Sequence, residues 1–274
     1  MSAVNVKTIL LKILKWLGIT IASILFLMFI IPILFPGTIS QQVKFFANKH
    51  LAGELDYKKT HLTFFRHFPS LTVSVDDFLL KGSKPFEQDT LLAAKEVAVG
   101  INLKNLIFNI EVKIDEIYVN DATANVFVNS KGEANYNVYV SKPSEKPKDT
   151  TGTGASIKLD LIKLKNWNIK YNDHAANVLV QAKNLNYTGK GGLSEDIFDL
   201  KTDLEIEKID FALNRIWYAQ KKYLKADLIT RINTNALTFV LRKNELRINE
   251  LPLKFTGFVS ILKDGYNLNI KDRK

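Results

Sequence analysis

The chain has 274 residues, 46% of them hydrophobic, with a formal net charge of +10 at pH 7 and no cysteine. A chain of this length can form one or two domains with a buried core. The missing cysteines exclude disulfides, thiolate metal sites and cysteine nucleophiles, while the basic balance points to nucleic acid or to an anionic membrane surface.

The first predicted element is a membrane anchor. Trp16–Phe35 carries no charged side chain, and about 20 apolar residues cross the hydrocarbon core of a bilayer. A cleaved signal peptide is the alternative, but its apolar region would be shorter and would end at a small-residue cleavage site, which this stretch lacks. Lysines precede the span and also follow it, so charge alone does not decide the orientation. We expect residues 1–15 in the cytoplasm, 16–36 in the membrane and the rest exported.

A short amphipathic helix is predicted for residues 37–53, just after the membrane exit. Thr38 lies three residues before Gln41, which is the spacing of a capping box. Apolar side chains then recur with helical periodicity up to Gly53. The helix suits either the membrane interface or packing against the first strands.

From residue 54 onward the hydrophobic pattern has a period of two, which predicts β-strands. We predict that one set of apolar residues lines one face of the sheet: Leu71, Val73, Val75, Val126, Val128, Val178 and Val180. Leu213–Leu228 is compatible with helix or strand, and we predict two strands joined by a loop there. The sequence therefore predicts a mainly β protein with an elongated antiparallel sheet.

Residues 141–156 interrupt the strand pattern. The stretch is rich in Pro, Lys, Ser, Thr and Gly and has no large apolar side chain, a composition typical of disorder. We therefore predict a first β region at 54–140, a disordered loop at 141–156 and a continuation of the β domain at 157–274.

Candidate catalytic and metal-binding groups are few. Asp76 and Asp77 are adjacent in a predicted strand, where neighbouring side chains point to opposite faces. Unless a bulge intervenes, they cannot converge as an acid–base pair. The four histidines lack zinc-motif spacing, and the glycine-rich stretches lack phosphate-loop spacing. We predict a non-enzymatic protein without catalytic residues, metal or cofactor.

Lysines alternate with apolar residues along Ser156–Tyr171, as on a solvated strand face. An exported domain does not meet cytoplasmic nucleic acid, so we expect no nucleic-acid partner and favour an anionic lipid surface. A meander with one apolar face can pack into a closed sandwich or curl into a groove that holds acyl chains. Periodicity alone leaves both alternatives open.

The order of these features resembles the AsmA family of bacterial envelope proteins in its Bacteroidetes-type form. The resemblance is carried by Lys12–Ser40, Leu51–Gly82, Asp89–Leu103, Lys113–Tyr139, Leu185–Leu200 and Ala226–Leu241. It implies an inner-membrane anchor with a periplasmic β-groove that cradles phospholipid acyl chains. Family members usually continue well beyond this length, so we expect an N-terminal portion or a short member.

The resemblance also implies a role and partners. The role is phospholipid transport to the outer membrane, or assembly of that membrane. The partners are phospholipid acyl chains, the inner membrane and envelope proteins at the outer membrane. The alternative is a scaffolding module of envelope assembly that binds proteins and no lipid.

Overall fold

The computed structural model describes residues 12–20, 22–23, 26, 53–67, 70–102, 104–105, 113–138, 156–262 and 265–272. Residues 12–20 are helical, and the remaining regular structure is almost entirely strand. The strands are β1 (Leu55–Asp56), β2 (Lys59–His67), β3 (Ser70–Lys81), β4 (Thr90–Asn102), β5 (Lys113–Val128), β6 (Ser156–Asp173), β7 (Val178–Lys190), β8 (Ile197–Leu213), β9 (Ile216–Asn233), β10 (Thr238–Ile248), β11 (Leu251–Leu262) and β12 (Gly265–Asp272).

These twelve strands form one sheet, in the order β1-β3-β4-β5-β6-β7-β8-β9-β10-β11-β12. β2 also pairs with β3, next to β1 on the same side. Tertiary contacts join each strand mainly to its hydrogen-bonded neighbours. Within the described residues the protein is therefore a single open sheet rather than two sheets packed as a sandwich.

The prediction of a purely antiparallel sheet is wrong at one place. β5 and β6 pair in parallel, whereas the other neighbours pair antiparallel. Parallel neighbours need a crossover connection of a dozen or more residues, and the chain between Val128 and Ser156 supplies it. The predicted loop at 141–156 falls in this connection and lies outside the described residues, except for Ser156, which begins β6.

The ambiguous stretch Leu213–Leu228 is strand rather than helix, and nearly all of it belongs to one strand, β9. β8 ends at Leu213 and β9 begins at Ile216, with Asn214 and Arg215 between them at φ values of 51° and 66°. Two successive residues with positive φ make the turn that matches the twist of a two-residue hairpin. The predicted loop is thus a tight turn.

The N-terminal predictions fall largely outside the described residues. Most of the predicted span at 16–36 and nearly all of the short helix at 37–53 lie there. Among the residues that can be described, no helix is long and apolar enough to cross a membrane. Residues 12–20 are helical, and Trp16 in this helix has 68% of its surface exposed.

Candidate functional site

One row of directly opposite residues shows how an apolar face is built across the sheet. Val75 lies opposite Val97, Val97 opposite Val119, and Val119 opposite Leu164. Directly opposite side chains point to the same face of a sheet. The row continues through Tyr187, Leu204, Ala226, Leu246 and Leu253. The face that carries this row, from β3 to β11, is called the apolar face below.

A second apolar row crosses the other half of the strands. Val126 lies opposite Tyr171, Tyr171 opposite Val180, and Val180 opposite Phe211. Two residues further along β5, Val128 begins another row on the same face, in which Asp173 lies between Val128 and Val178. That row carries a carboxylate among its apolar side chains.

A break in the alternation of four strands lets these two halves share one face. Asp77, Asp121, Asn166 and Asn184 have φ values of 53°, 52°, 55° and 51°, near the middle of β3, β5, β6 and β7. These four residues are called the bulge row. An extra residue in a bulge-like conformation shifts the alternation by one position. Apolar residues three apart then point the same way, which regular strand geometry forbids.

The cores of the sheet confirm this shift of alternation. Ala94, Val119 and Ala122 form one buried cluster, although Val119 and Ala122 are three residues apart on one strand. Ala182, Leu185 and Ile206 form a second cluster with the same three-residue step in β7. Side chains from both sides of the bulge row therefore pack together on the apolar face.

Trp167 joins the two clusters. It packs against both of them from the centre of β6, one residue after Asn166 of the bulge row. Its indole Nε1–H donates to the backbone oxygen of Val119 at 3.0 Å. This bond satisfies the polar atom of the ring, so the rest of the indole can pack among apolar side chains.

The opposite face carries the polar groups of the bulge row. Asn166 Nδ2 donates to Asp121 Oδ1 at 2.7 Å, which links β6 to β5. Asn184 Nδ2 donates to Glu207 of β8. Side-chain hydrogen bonds thus join neighbouring strands where their backbones depart from regular geometry.

The expectation that Asp76 and Asp77 point to opposite faces is wrong. Both line one open depression on the polar face, because the left-handed conformation of Asp77 shifts the alternation there. His61 Nε2 lies 2.7 Å from Asp76 Oδ2, and Lys58 Nζ lies 3.0 Å from Asp77 Oδ2. Each carboxylate is therefore engaged by a basic side chain of its own.

Aromatic groups occupy the same polar face at β5. Tyr118 donates its hydroxyl to Glu116 Oε2 at 3.0 Å, and the ring of His67 stacks on it at 3.7 Å. Burial, reinforced by the charge of Glu116, raises the pKa of Tyr118 well above its usual range. Tyr118 is therefore a neutral structural donor at physiological pH.

The structure places all seven predicted lining residues on the apolar face. Leu71, Val75 and Val128 are buried, and the other four are half-buried. Sequence analysis missed Trp167 and the bulge row. The signal was available as a repeated four-residue pattern, apolar–polar–Asp/Asn–apolar, at residues 75–78, 119–122, 164–167 and 182–185.

Within the described ranges, no three His, Asp or Glu residues come together in a way that could hold a metal ion. The arrangement offers an extended apolar contact surface with polar groups behind it.

A sequence model of the AsmA family matches residues 10–239, a range that includes β1 to β9. A search of curated proteins finds no match for this chain.

Proposed function

The chain belongs to the AsmA family, and we propose that its apolar face binds phospholipid acyl chains without catalysing a reaction. Membership is consistent with a role in envelope assembly or lipid transport. The more specific proposal is phospholipid movement to the outer membrane, or assembly of that membrane, by a sheet that extends from the inner membrane into the periplasm.

The observation that carries the proposal is the apolar row from Val75 to Leu253. It crosses nine neighbouring strands, and strand spacings of about 4.8 Å give it a length of roughly 38 Å. One leaflet contributes about half of the roughly 30 Å hydrocarbon core of a bilayer. The apolar row is thus longer than an acyl chain in its membrane. Contact between the two is favourable because it removes apolar surface from water, and it requires no fixed geometry because the hydrophobic effect is non-directional.

The bulge row supports the shape that such binding requires. Bulges bend a strand and increase its twist. When neighbouring strands bend near the same level, the sheet folds along a line that runs across the strands. Val119 and Ala122, on either side of Asp121, pack in one cluster. We therefore infer that the sheet bends toward the apolar face and forms a trough.

Exposure along the apolar face suits entry and exit of a ligand. Val75 and Val119 near the β3 end are buried, whereas Leu253 in β11 is 37% exposed. Apolar surface left open on a soluble domain marks a place where something binds. In the proposed orientation, lipid enters near the strands that follow the membrane anchor and passes toward the exposed end.

The proposed location rests on the N-terminal segment. The helical residues 12–20 leave large apolar side chains exposed, among them Trp16 and Leu17. Exposed apolar side chains on a helix suit contact with lipid. We propose a single-pass inner-membrane protein with a cytoplasmic N-terminus and a periplasmic sheet.

The test is to identify lipids bound to the full chain purified in mild detergent. A photo-crosslinking residue at Val180 on the apolar face is compared with one at Lys170, which points to the opposite face of neighbouring β6. We expect lipid adducts at position 180 and few at 170. Equal adducts at both positions, or no co-purified lipid, would refute the proposal.

A matched pair of substitutions tests the same idea by chemistry. Val126→Asp places a charge on the apolar face, where a carboxylate among acyl chains is costly. Asn125→Asp places the same group one residue away on the polar face. We expect several-fold less bound lipid for Val126→Asp and no change for Asn125→Asp. If the photo-crosslinking residue at position 180 gave protein adducts and no lipid adducts, the result would instead favour the scaffolding alternative.

A further inference from the structure

The face opposite the apolar face carries a cleft of about 530 Å³ near one end of its strands. A row of directly opposite residues crosses it, one each from β6, β7, β8 and β9: Asn172, Leu179, Ala212 and Trp217. Leu179 lies between Val178 and Val180 of the apolar face, so this row points to the other side of the sheet. The depression around this row is called the indole cleft below.

The shape of the indole cleft follows from the sizes of its side chains. Ala212 is 4% exposed and has only a methyl side chain, and Leu179 lies opposite it on β7. Asn172 and Trp217 stand on either side, three strand spacings or roughly 14 Å apart between their backbones. The cleft therefore has an apolar floor between an indole wall and an amide wall.

Contacts within the protein hold the walls of the cleft in place. Asn172 Nδ2 lies 3.0 Å from His174 Nε2, and the His174 ring meets the ring of Phe127 edge to face at 5.1 Å. The Asn214 N–H donates to the backbone oxygen of Asn177 at 2.9 Å, which ties the β8–β9 turn to the β6–β7 turn. The cleft is therefore preformed, as sites for small ligands usually are.

Arg215 brings a positive charge to the turn end of the cleft, which its side chain lines. Within the described part of the chain no carboxylate forms an ion pair with it. Asp173 also borders the cleft, but its carboxylate accepts from the Ala176 N–H and the Tyr171 hydroxyl. A guanidinium binds a carboxylate or a phosphate through two parallel hydrogen bonds. The turn end of the cleft is thus suited to an anionic group.

The indole of Trp217 is 47% exposed although it stands beside an apolar floor. An exposed indole suits a ring with an apolar face, because its own ring is large, rigid and apolar. A saccharide has C–H groups on its faces and hydroxyl groups around its rim. Those hydroxyls both donate and accept, as do the Asn172 amide and the Ser130 hydroxyl that line the cleft.

We propose that the indole cleft binds a saccharide that carries a carboxylate or a phosphate group. Its ring stacks on Trp217, and its acid group pairs with Arg215. Its hydroxyls bond to Asn172 and Ser130. A free phosphate would leave the indole unused, and an acyl chain would bury Arg215 and Asn172 without partners, which is costly. The cleft lies on the other side of the sheet from the apolar face, so this inference does not depend on lipid binding.

The test is isothermal titration calorimetry of the full chain in lauryldimethylamine oxide. Alkyl maltosides are avoided, because their sugar headgroups would compete for the cleft. The probes are glucuronic acid and glucose 6-phosphate, with glucose and acetate for comparison. We expect the acidic sugars to bind about tenfold more tightly than glucose, since a hydrogen bond to a charged group contributes that much. Acetate, which has no ring to stack, should give no heat of binding.

Three variants separate the indole from the guanidinium. Trp217→Ala should weaken the binding of every sugar about tenfold. Arg215→Gln should remove the preference for acidic sugars and leave the binding of glucose unchanged. Tyr218→Ala is the matched control, because Tyr218 is 63% exposed and its ring contacts Phe211 of the apolar face. It should bind all the sugars as the wild type does. Urea midpoints equal to that of the wild type show that the variants are folded.

Four results would overturn the inference. The first is that neither acidic sugar gives a heat of binding up to about 10 mM. The second is that Trp217→Ala weakens sugar binding no more than Tyr218→Ala. The third is that acetate binds as tightly as the acidic sugars, which would reduce the site to an anion contact. The fourth is that the preference for acidic sugars survives Arg215→Gln.

Discussion

Replacing Asn166 by valine tests whether the bulge row holds the apolar face together. Asn166 lies in the left-handed region at φ 55°, and its side chain donates to Asp121 at 2.7 Å. Valine prefers regular strand geometry and strongly disfavours this conformation. In a regular strand, the alternation of β6 would turn Trp167 away from the clusters that it joins.

The magnitude follows from two contributions. The left-handed conformation costs a residue with a Cβ atom about 1–2 kcal/mol, and the lost side-chain hydrogen bond costs about 1 kcal/mol. We therefore expect Asn166→Val to lower the free energy of unfolding by about 2–3 kcal/mol in total. Asn166→Gly loses the hydrogen bond but tolerates the backbone, so it should cost only about 1 kcal/mol.

The assay is urea denaturation of the full chain in detergent, followed by far-ultraviolet circular dichroism and by tryptophan fluorescence. Lys170→Val, on the polar face of the same strand, should change the free energy of unfolding by less than about 0.5 kcal/mol. If Asn166→Val is as stable as Asn166→Gly, the left-handed residue is not a structural requirement, and the account of the apolar face fails.

Three further predictions concern Trp167, Gly100 and Asp173. Trp167→Ala should lower the free energy of unfolding by about 3 kcal/mol. Trp167→Phe should lower it less, because it loses mainly the hydrogen bond to Val119. Equal decreases in the free energy of unfolding for the two variants in urea denaturation would contradict this. Gly100→Ala should lower the urea midpoint, since an added Cβ would lie 2.8 Å from Glu116 Cβ; an unchanged midpoint would contradict it. The Ala176 N–H and the Tyr171 hydroxyl hold the pKa of Asp173 below its ordinary 3.8. The stability it contributes is therefore complete above pH 3.8 and is lost as the pH falls through the folded-state pKa. Titration of the Asp173 carboxyl by NMR should give a pKa below 3.8. The free energy of unfolding of Asp173→Asn should fall less steeply at acid pH than that of the wild type.

Several features could be predicted from the sequence because they depend on short stretches of chain. The period of two identifies strands, since alternate side chains of any strand share a face. It placed Leu71, Val73 and Val75 on one face of a strand, and it favoured strand over helix for Leu213–Leu228, where nearly all residues belong to β9. The ordered set of segments also identified the AsmA family, which the match over residues 10–239 confirms.

The alternation of apolar side chains within one stretch of strand does not show which face of the sheet the next stretch presents. Val75 and Phe78 are three residues apart and would be assigned to opposite faces by any regular pattern. They share a face because Asp77 adopts a left-handed conformation, which is unfavourable for an isolated residue. It persists because the shared face lets Phe78 pack against the buried cluster of Ala94, Val119 and Ala122.

Strand pairing was likewise decided only by the tertiary structure. Nothing local to β5 or β6 shows that they pair in parallel, because pairing depends on where a long connection returns the chain. The sequence by itself determined strand content, the apolar positions and the family. Only the tertiary structure decided that these positions form one continuous face, because the face is created by register between strands distant in sequence.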